Sequence, residues 1–180
     1  TRAMEREPEL SEAVVTAPVS GRVTAINRGA RRALISVEIT RDDAAAIPMD
    51  FSTIGDISTD EGLVARLCAA GLWTSFRTRP YSRVPRPETR PAAIYVTAMD
   101  SEPLAPDAAV IIADAGAAFA TGLAAIARLS MGKTYLCQAG GADIPGGDLP
   151  GVEPVAFSGP HPAGLPGTHL HFLEPPTASR

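Results

Sequence analysis

Between residues 92 and 138 the chain reads as strand, helix, strand, and no other stretch limits the possible folds so strongly. Residues 92–99 (AAIYVTAM) form a short, β-rich apolar run closed by the polar group Asp100, Ser101, Glu102 and Pro103. Such a run without polar alternation predicts a strand covered on both faces, as in a parallel sheet. Asp107 stands where it can cap a following helix. From Asp114 to Leu129 the residues Phe119, Leu123, Ile126 and Leu129 recur on one side of a helical period. Gly132 marks the expected end of that helix, and residues 134–138 (TYLCQ) read as the next strand. A strand, helix and strand of these lengths make a right-handed crossover, so the fold class is α/β with a parallel sheet. Ligands of open α/β sheets gather at the carboxyl ends of the strands, here near Asp100 and the glycine pair Gly140 and Gly141.

The first quarter of the chain has a different character. Residues 13–19, 22–26 and 32–39 read as three short strands separated by turns at Ser20–Gly21 and around Asn27–Gly29. The stretch 17–26 (APVSGRVTAI) is similar to the hairpin of the biotinyl and lipoyl carrier families. A carrier displays a lysine at its hairpin tip, whereas the single lysine of this sequence is Lys133. What is expected is therefore a partial barrel-sandwich over residues 13–41 that lacks the carrier arm and whose partner strands lie upstream. The order expected along the chain is a flexible start over 1–12, these β hairpins, a connector over 42–57, and a Rossmann-like α/β domain over 58–180. The domain opens on a helix over 59–70: Ser58 and Glu61 fit a capping box, Leu63, Leu67 and Ala70 carry the apolar stripe, and Gly71 stops it. The only tryptophan, Trp73, follows at once.

Charge and composition remove several function classes. A net charge of -4 argues against general nucleic-acid binding. The most apolar region, 105–129, is interrupted by Asp107, Asp114, Gly116, Gly122 and Arg128 and so reads as a buried helix instead of a membrane span. Cys68 and Cys137 lack any Cys-x-x-Cys spacing and read as reduced, buried thiols of a cytoplasmic protein. The first residues show no signal peptide and no natural start, which suggests a fragment. Locally the balance reverses: Arg77, Arg79, Arg83, Arg86 and Arg90 face the single acid Glu88 in a proline-broken loop. That loop either meets an acidic partner or a phosphate, or is a solvated extended segment.

All three histidines fall in the stretch 158–173 (SGPHPAGLPGTHLHFL). Its first half alternates prolines with glycines and predicts a shaped loop. Its second half alternates as a strand, Thr168, Leu170 and Phe172 on one face and His169, His171 and Leu173 on the other. His-x-His on a strand can present two imidazoles to one ion. No acid or cysteine within the segment completes such a set, so the expected metal ligation is none, and the imidazoles are read as hydrogen-bonded groups lining a cleft or a protein–protein contact. Gly140 and Gly141 lack the spaced glycines of a dinucleotide loop and read as a turn.

Several pieces occur together and in order. Residues 19–34 (VSGRVTAINRGARRAL), 71–80 (GLWTSFRTRP), 94–100 (IYVTAMD) and 159–173 (GPHPAGLPGTHLHFL) resemble the NqrA family of the sodium-translocating NADH:quinone oxidoreductase. The resemblance implies a peripheral subunit on the cytoplasmic face of a bacterial inner membrane. Its partners would be the other subunits of a complex that passes electrons from NADH through flavins and iron–sulfur centres to ubiquinone while exporting sodium. It implies a core similar to RnfC and to the FMN-binding domain of the NADH-oxidising subunit of complex I. Leu72, Trp73, Phe76 and Arg77 stand where those relatives carry a glycine loop, so no FMN is expected here. Two isolated cysteines cannot hold an iron–sulfur cluster. The expected chain binds no cofactor of its own, is not catalytic alone, and contributes to quinone interaction and assembly. A quinone head needs apolar walls and one or two donors, which makes Trp73, Phe76, Arg77, His161, His169 and His171 the candidates by residue chemistry. Two alternatives stay open: an FMN- or nucleotide-binding electron-transfer subunit using Asp100, Gly140 and Gly141, and a scaffold docking through Arg77–Arg90.

Overall fold

Strand Thr134–Ala139 is the most deeply covered segment: Thr134, Leu136 and Cys137 have no exposed surface. The computed structural model describes residues 14–42 and 48–174. The expected flexible start and parts of the connector and C-terminal end lie outside the described residues. Two compact units emerge, one running to Arg77 and including Arg83–Pro87, the other formed by Thr78–Ser82 and the chain from Glu88 onward.

The second unit is built on three parallel strands, β3 (Ile94–Ala98), β4 (Thr134–Ala139) and β5 (Val152–Phe157), in the order β3-β4-β5. Residues in register across the sheet share a face. Val96, Leu136 and Pro154 point one way with Ala98, Gln138 and Ala156; Thr97, Cys137 and Val155 point the other way. Helices α2 (Ala108–Ala113) and α3 (Gly116–Ala127) cover the first face, where Ala98, Leu123, Leu136 and Ile144 form the core against Phe119 and Ile112. Helix α4 (Pro166–Leu173) covers the second, where His169 packs on Phe157. At the other end of that face Tyr135 Oη donates to Glu174 Oε1 at 2.9 Å, and the Tyr95 and Tyr135 rings stack at 5.2 Å.

The expected crossover is present, with β3 and β4 parallel, and Asp107 caps α2 by accepting from Ala109 N at 2.9 Å. The helix expected from Asp114 to Leu129 is instead two: α2 begins earlier, the chain turns at Asp114 and Ala115, and α3 stops at Ala127, ahead of Gly132. Strand β5 was not anticipated. Pro154 within it cannot donate to a neighbour, and the strand accordingly lies at the sheet edge.

The largest correction concerns residues 168–173, which are helical and not a strand. Pro166 sits at the first helical position, where its missing N–H costs nothing. Leu165 O accepts from both Thr168 N at 3.0 Å and His169 N at 3.2 Å, closing the first turn. His169 and Leu170 then face inward while His171 and Phe172 are exposed. His169 and His171 therefore do not share a face, and the premise of a strand-borne His-x-His pair is withdrawn. Among the described residues no group of three or more His, Cys, Asp or Glu is placed to hold a metal ion.

In the first unit, β1 (Gly21–Arg28) and β2 (Leu34–Arg41) pair antiparallel with two irregularities of register. Of the three expected strands, the first is absent: residues 14–17 have no regular structure and 18–20 form a bend. Helix α1 (Asp60–Ala69) is capped one residue later than expected, by Thr59 and not Ser58. Thr59 Oγ1 accepts from Gly62 N at 3.1 Å, while Ser58 N donates to the Asp56 carboxylate, which holds that carboxyl below its ordinary value. Arg66 of α1 donates to the carbonyls of Ser52, Ile54 and Gly55 and so fastens the preceding loop to the helix. Cys68 and Cys137 are free and buried, as the sequence suggests, and burial pushes the Cys137 thiol up to about 11. Among the described residues no helix is long and apolar enough to cross a membrane.

Candidate functional site

The carboxyl ends of β3, β4 and β5 feed three loops that interlock. Gly140 N donates to Phe157 O at 2.9 Å, and a side chain at Gly140 would collide with Ser158 Oγ. Gly164 N donates to Ser101 Oγ at 2.8 Å, tying the loop after β5 to the loop after β3. Ser101 Oγ also lies 3.2 Å from His161 Nδ1, and His161 Nε2 is 3.7 Å from Glu102 Oε1. Because Ser101 Oγ accepts from Gly164 N, its own proton is available for His161 Nδ1, an arrangement that leaves His161 Nε2–H directed at the carboxylate.

Beside this junction lies an open depression of about 470 Å³, lined by Ser158, Gly159, Pro160, Pro162, Ala163, Gly167, Thr168, His171 and Phe172. Its walls are prolines and the Phe172 ring, 72% exposed, which meets the His171 ring edge-on at 5.2 Å. Thr168 Oγ1 donates to Pro162 O at 2.8 Å and fixes the loop against the first turn of α4. The depression thus offers apolar surface with one exposed imidazole, at the sheet end where open α/β folds bind ligands.

The six residues picked out by their chemistry are distributed unevenly. Trp73, Phe76 and Arg77 belong to the first unit and the three histidines to the second. Trp73 is 3% exposed and its Nε1–H donates to Pro85 O at 2.8 Å, with the Phe76 ring 5.1 Å away. Arg77 donates to the carbonyls of Thr74 and Phe76. His169 is wholly buried with Nε2 at 3.0 Å from Ala163 O, so Nε2 carries the proton and its donor is used internally. His161 and His171 alone present exposed imidazoles. Phe172, Pro160, Pro162, Ser101 and Gly164 were missed, Phe172 because strand alternation placed it on the face opposite His171.

Burial of His169 lowers its proton affinity below the ordinary value of 6.5, with the Ala163 hydrogen bond opposing only in part. The unfolded chain therefore binds the proton more readily than the folded one. Stability contributed by neutral His169 is complete above pH 6.5 and is lost as pH falls from there toward the folded value. Urea denaturation between pH 7.5 and 5 is expected to show this decline, at most about 1.4 kcal/mol per pH unit, and His169→Gln to flatten it. An unchanged slope in the variant would assign the decline to other groups.

The alternative cofactor residues do not fit a flavin phosphate. Asp100 Oδ1 accepts from Glu102 N at 2.9 Å, closing a local turn. Gly140 is required by the approach of Ser158, and Gly141, at φ 83, forms the turn in which Ala142 N donates to Ala139 O.

Comparison with known proteins gives two family matches: the NqrA N-terminal barrel-sandwich hybrid domain over residues 4–42, and the NqrA second alpha/beta domain over residues 58–180. The expected likeness to the complex I flavin domain finds no support among them. Curated proteins named as the NqrA component of Na(+)-translocating NADH-quinone reductase are similar over most of the chain. That of Saccharophagus degradans is 49% identical over 92% of this chain and 37% of its own length. That of Rhodopirellula baltica is 47% identical over 90% and 36%, and that of Pseudomonas aeruginosa 48% over 92% and 37%. The chain spans little more than a third of these relatives. With both of its parts matched in order, the mixed α/β chain with its barrel-sandwich segment belongs to the NqrA family of the Na+-translocating NADH-quinone reductase.

Proposed function

We propose that this chain serves within a Na+-translocating NADH:quinone reductase as the part of NqrA that receives the quinone head, on the cytoplasmic side of the inner membrane and bound to the other subunits. Electrons arrive from NADH through cofactors held by those partners, and the chain itself binds none. The depression beside α4 carries this reading. Its volume of about 470 Å³ lies within the range of about 300–1,000 Å³ usual for small-ligand sites. A quinone ring is flat and apolar with two carbonyl acceptors. Phe172 and Pro160 and Pro162 supply walls, and His171 supplies a donor to one carbonyl. His161 stands at the margin as a second donor. Trp73 and His169 do not contact the ring in this reading, since both ring donors are already used inside the protein.

The test is titration of the chain with a short-tailed ubiquinone, followed by calorimetry. Phe172→Ala is expected to weaken binding by about tenfold, the scale of one lost aromatic wall. His171→Ala is expected to weaken it by a comparable factor and His171→Gln, which keeps a donor, by less. Affinity indifferent to all three changes would refute the site.

A further inference from the structure

The far end of the β1–β2 hairpin carries two consecutive arginines, Arg31 and Arg32, with φ of 54° and 61°. Left-handed backbone is uncommon outside glycine and asparagine, and two such residues in succession are strained. The turn is nevertheless firmly closed: Gly29 N donates to Ala33 O at 2.9 Å, Arg32 N to Gly29 O at 3.1 Å and Ala33 N to Ala30 O at 3.2 Å. Arg28 Nη1 donates to Arg32 O at 3.1 Å. Both tip arginines are exposed on this fixed frame.

Aliphatic side chains stand next to them. Pairing of Ile26 with Val37 and Val23 with Ile39 puts these four on one face together with Ile35, and Ile26 and Ile35, nearest the tip, are 55% and 69% exposed. The opposite face is polar, where Asn27 Nδ2 donates to Ser36 Oγ and to Glu38 Oε1. Residues 21–42 hold five arginines against Glu38 and Asp42, in a chain whose net charge is -4. The hairpin end is therefore a cationic and aliphatic point on an acidic protein.

We propose that this tip docks on an anionic phospholipid surface, Arg31 and Arg32 meeting headgroup phosphates while Ile26 and Ile35 enter the boundary with the acyl chains. Guanidinium groups match phosphate oxygens, and uncovered aliphatic side chains beside them suit that boundary. An acidic protein segment would use the arginines and leave the isoleucines in water, so the combination favours lipid. The acidic remainder of the chain is repelled by the same surface, which makes the tip the point that orients it.

Co-sedimentation of the chain with vesicles of phosphatidylglycerol and phosphatidylcholine tests this. Each basic residue at such a surface is worth about 1 kcal/mol, or about fivefold in partition. The double change Arg31→Asn and Arg32→Asn keeps residues that tolerate the left-handed turn and is expected to lower partition by about thirtyfold. Lys133→Gln, which removes one charge from the second unit, is expected to leave it unchanged. Raised salt should release the protein. No partition, equal partition onto phosphatidylcholine alone, or a Lys133→Gln effect as large as that of the double change would overturn the proposal. So would equal affinity for soluble polyglutamate, which would assign the tip to an acidic protein.

Discussion

Trp73→Ala lowers the stability of the first unit by about 3–5 kcal/mol, the usual cost of emptying a buried aromatic site. The indole is 3% exposed, so nearly all of its surface leaves water on folding. Its Nε1–H reaches Pro85 O at 2.8 Å and thereby holds the 83–87 stretch within the unit. Trp73→Phe retains most of the burial but leaves that carbonyl without its donor, for a loss of about 1–2 kcal/mol. Because the change removes the only tryptophan, the transition is followed by far-ultraviolet circular dichroism in urea. A loss below about 1 kcal/mol for the alanine variant would mean that Trp73 is no anchor, and would return it to the set of residues available for a ligand.

Gly164→Ala strikes the second unit at the junction that shapes the depression. A methyl group there would lie 2.5 Å from Ser101 N and 2.8 Å from Asp100 C, against backbone that has no rotamer to yield. The loop after β5 must move away, breaking the Gly164 N–Ser101 Oγ bond and shifting Pro162 and Ala163. The expected cost is about 1–3 kcal/mol in stability. Quinone affinity is expected to fall tenfold or more, because displacements near 1 Å spoil a preformed site. Gly122→Ala is the control: a methyl there meets nothing within 4 Å, and α3 should gain about 0.5–1 kcal/mol from the better helix former. Equal quinone affinity in Gly164→Ala and the parent would show that the loop junction does not shape the site.

The sequence made the parallel core legible because β3 and β4 are apolar throughout and the intervening helix keeps its period at Phe119, Leu123 and Leu129. Residues 13–41 were readable as a hairpin from their turns, although residues 14–17 proved irregular. What failed was local ambiguity. Thr168–Leu173 alternates in polarity and satisfies both a two-residue and a helical period, and the deciding signal was Pro166, whose place at a first helical turn was read as a break. β5 was hidden by Pro154, which is tolerated because the strand lies at an edge. The α1 cap slipped by one residue because Ser58 and Thr59 are both capping types, and Asp56 claims the Ser58 amide. For the site, residue chemistry found the histidines but could not separate the buried His169 from the exposed His161 and His171. Nor could it supply Ser101 and Gly164, whose link joins positions 63 apart in the chain.

Amide chemical-shift mapping of the chain during titration with a short-tailed ubiquinone addresses the quinone assignment without any mutation. The account predicts shifts concentrated at Ser158–Ala163 and Gly167–Phe172, with Ser101 and Gly164 responding through their shared hydrogen bond. Shifts centred on Trp73–Arg77, or none at saturating quinone, would contradict it.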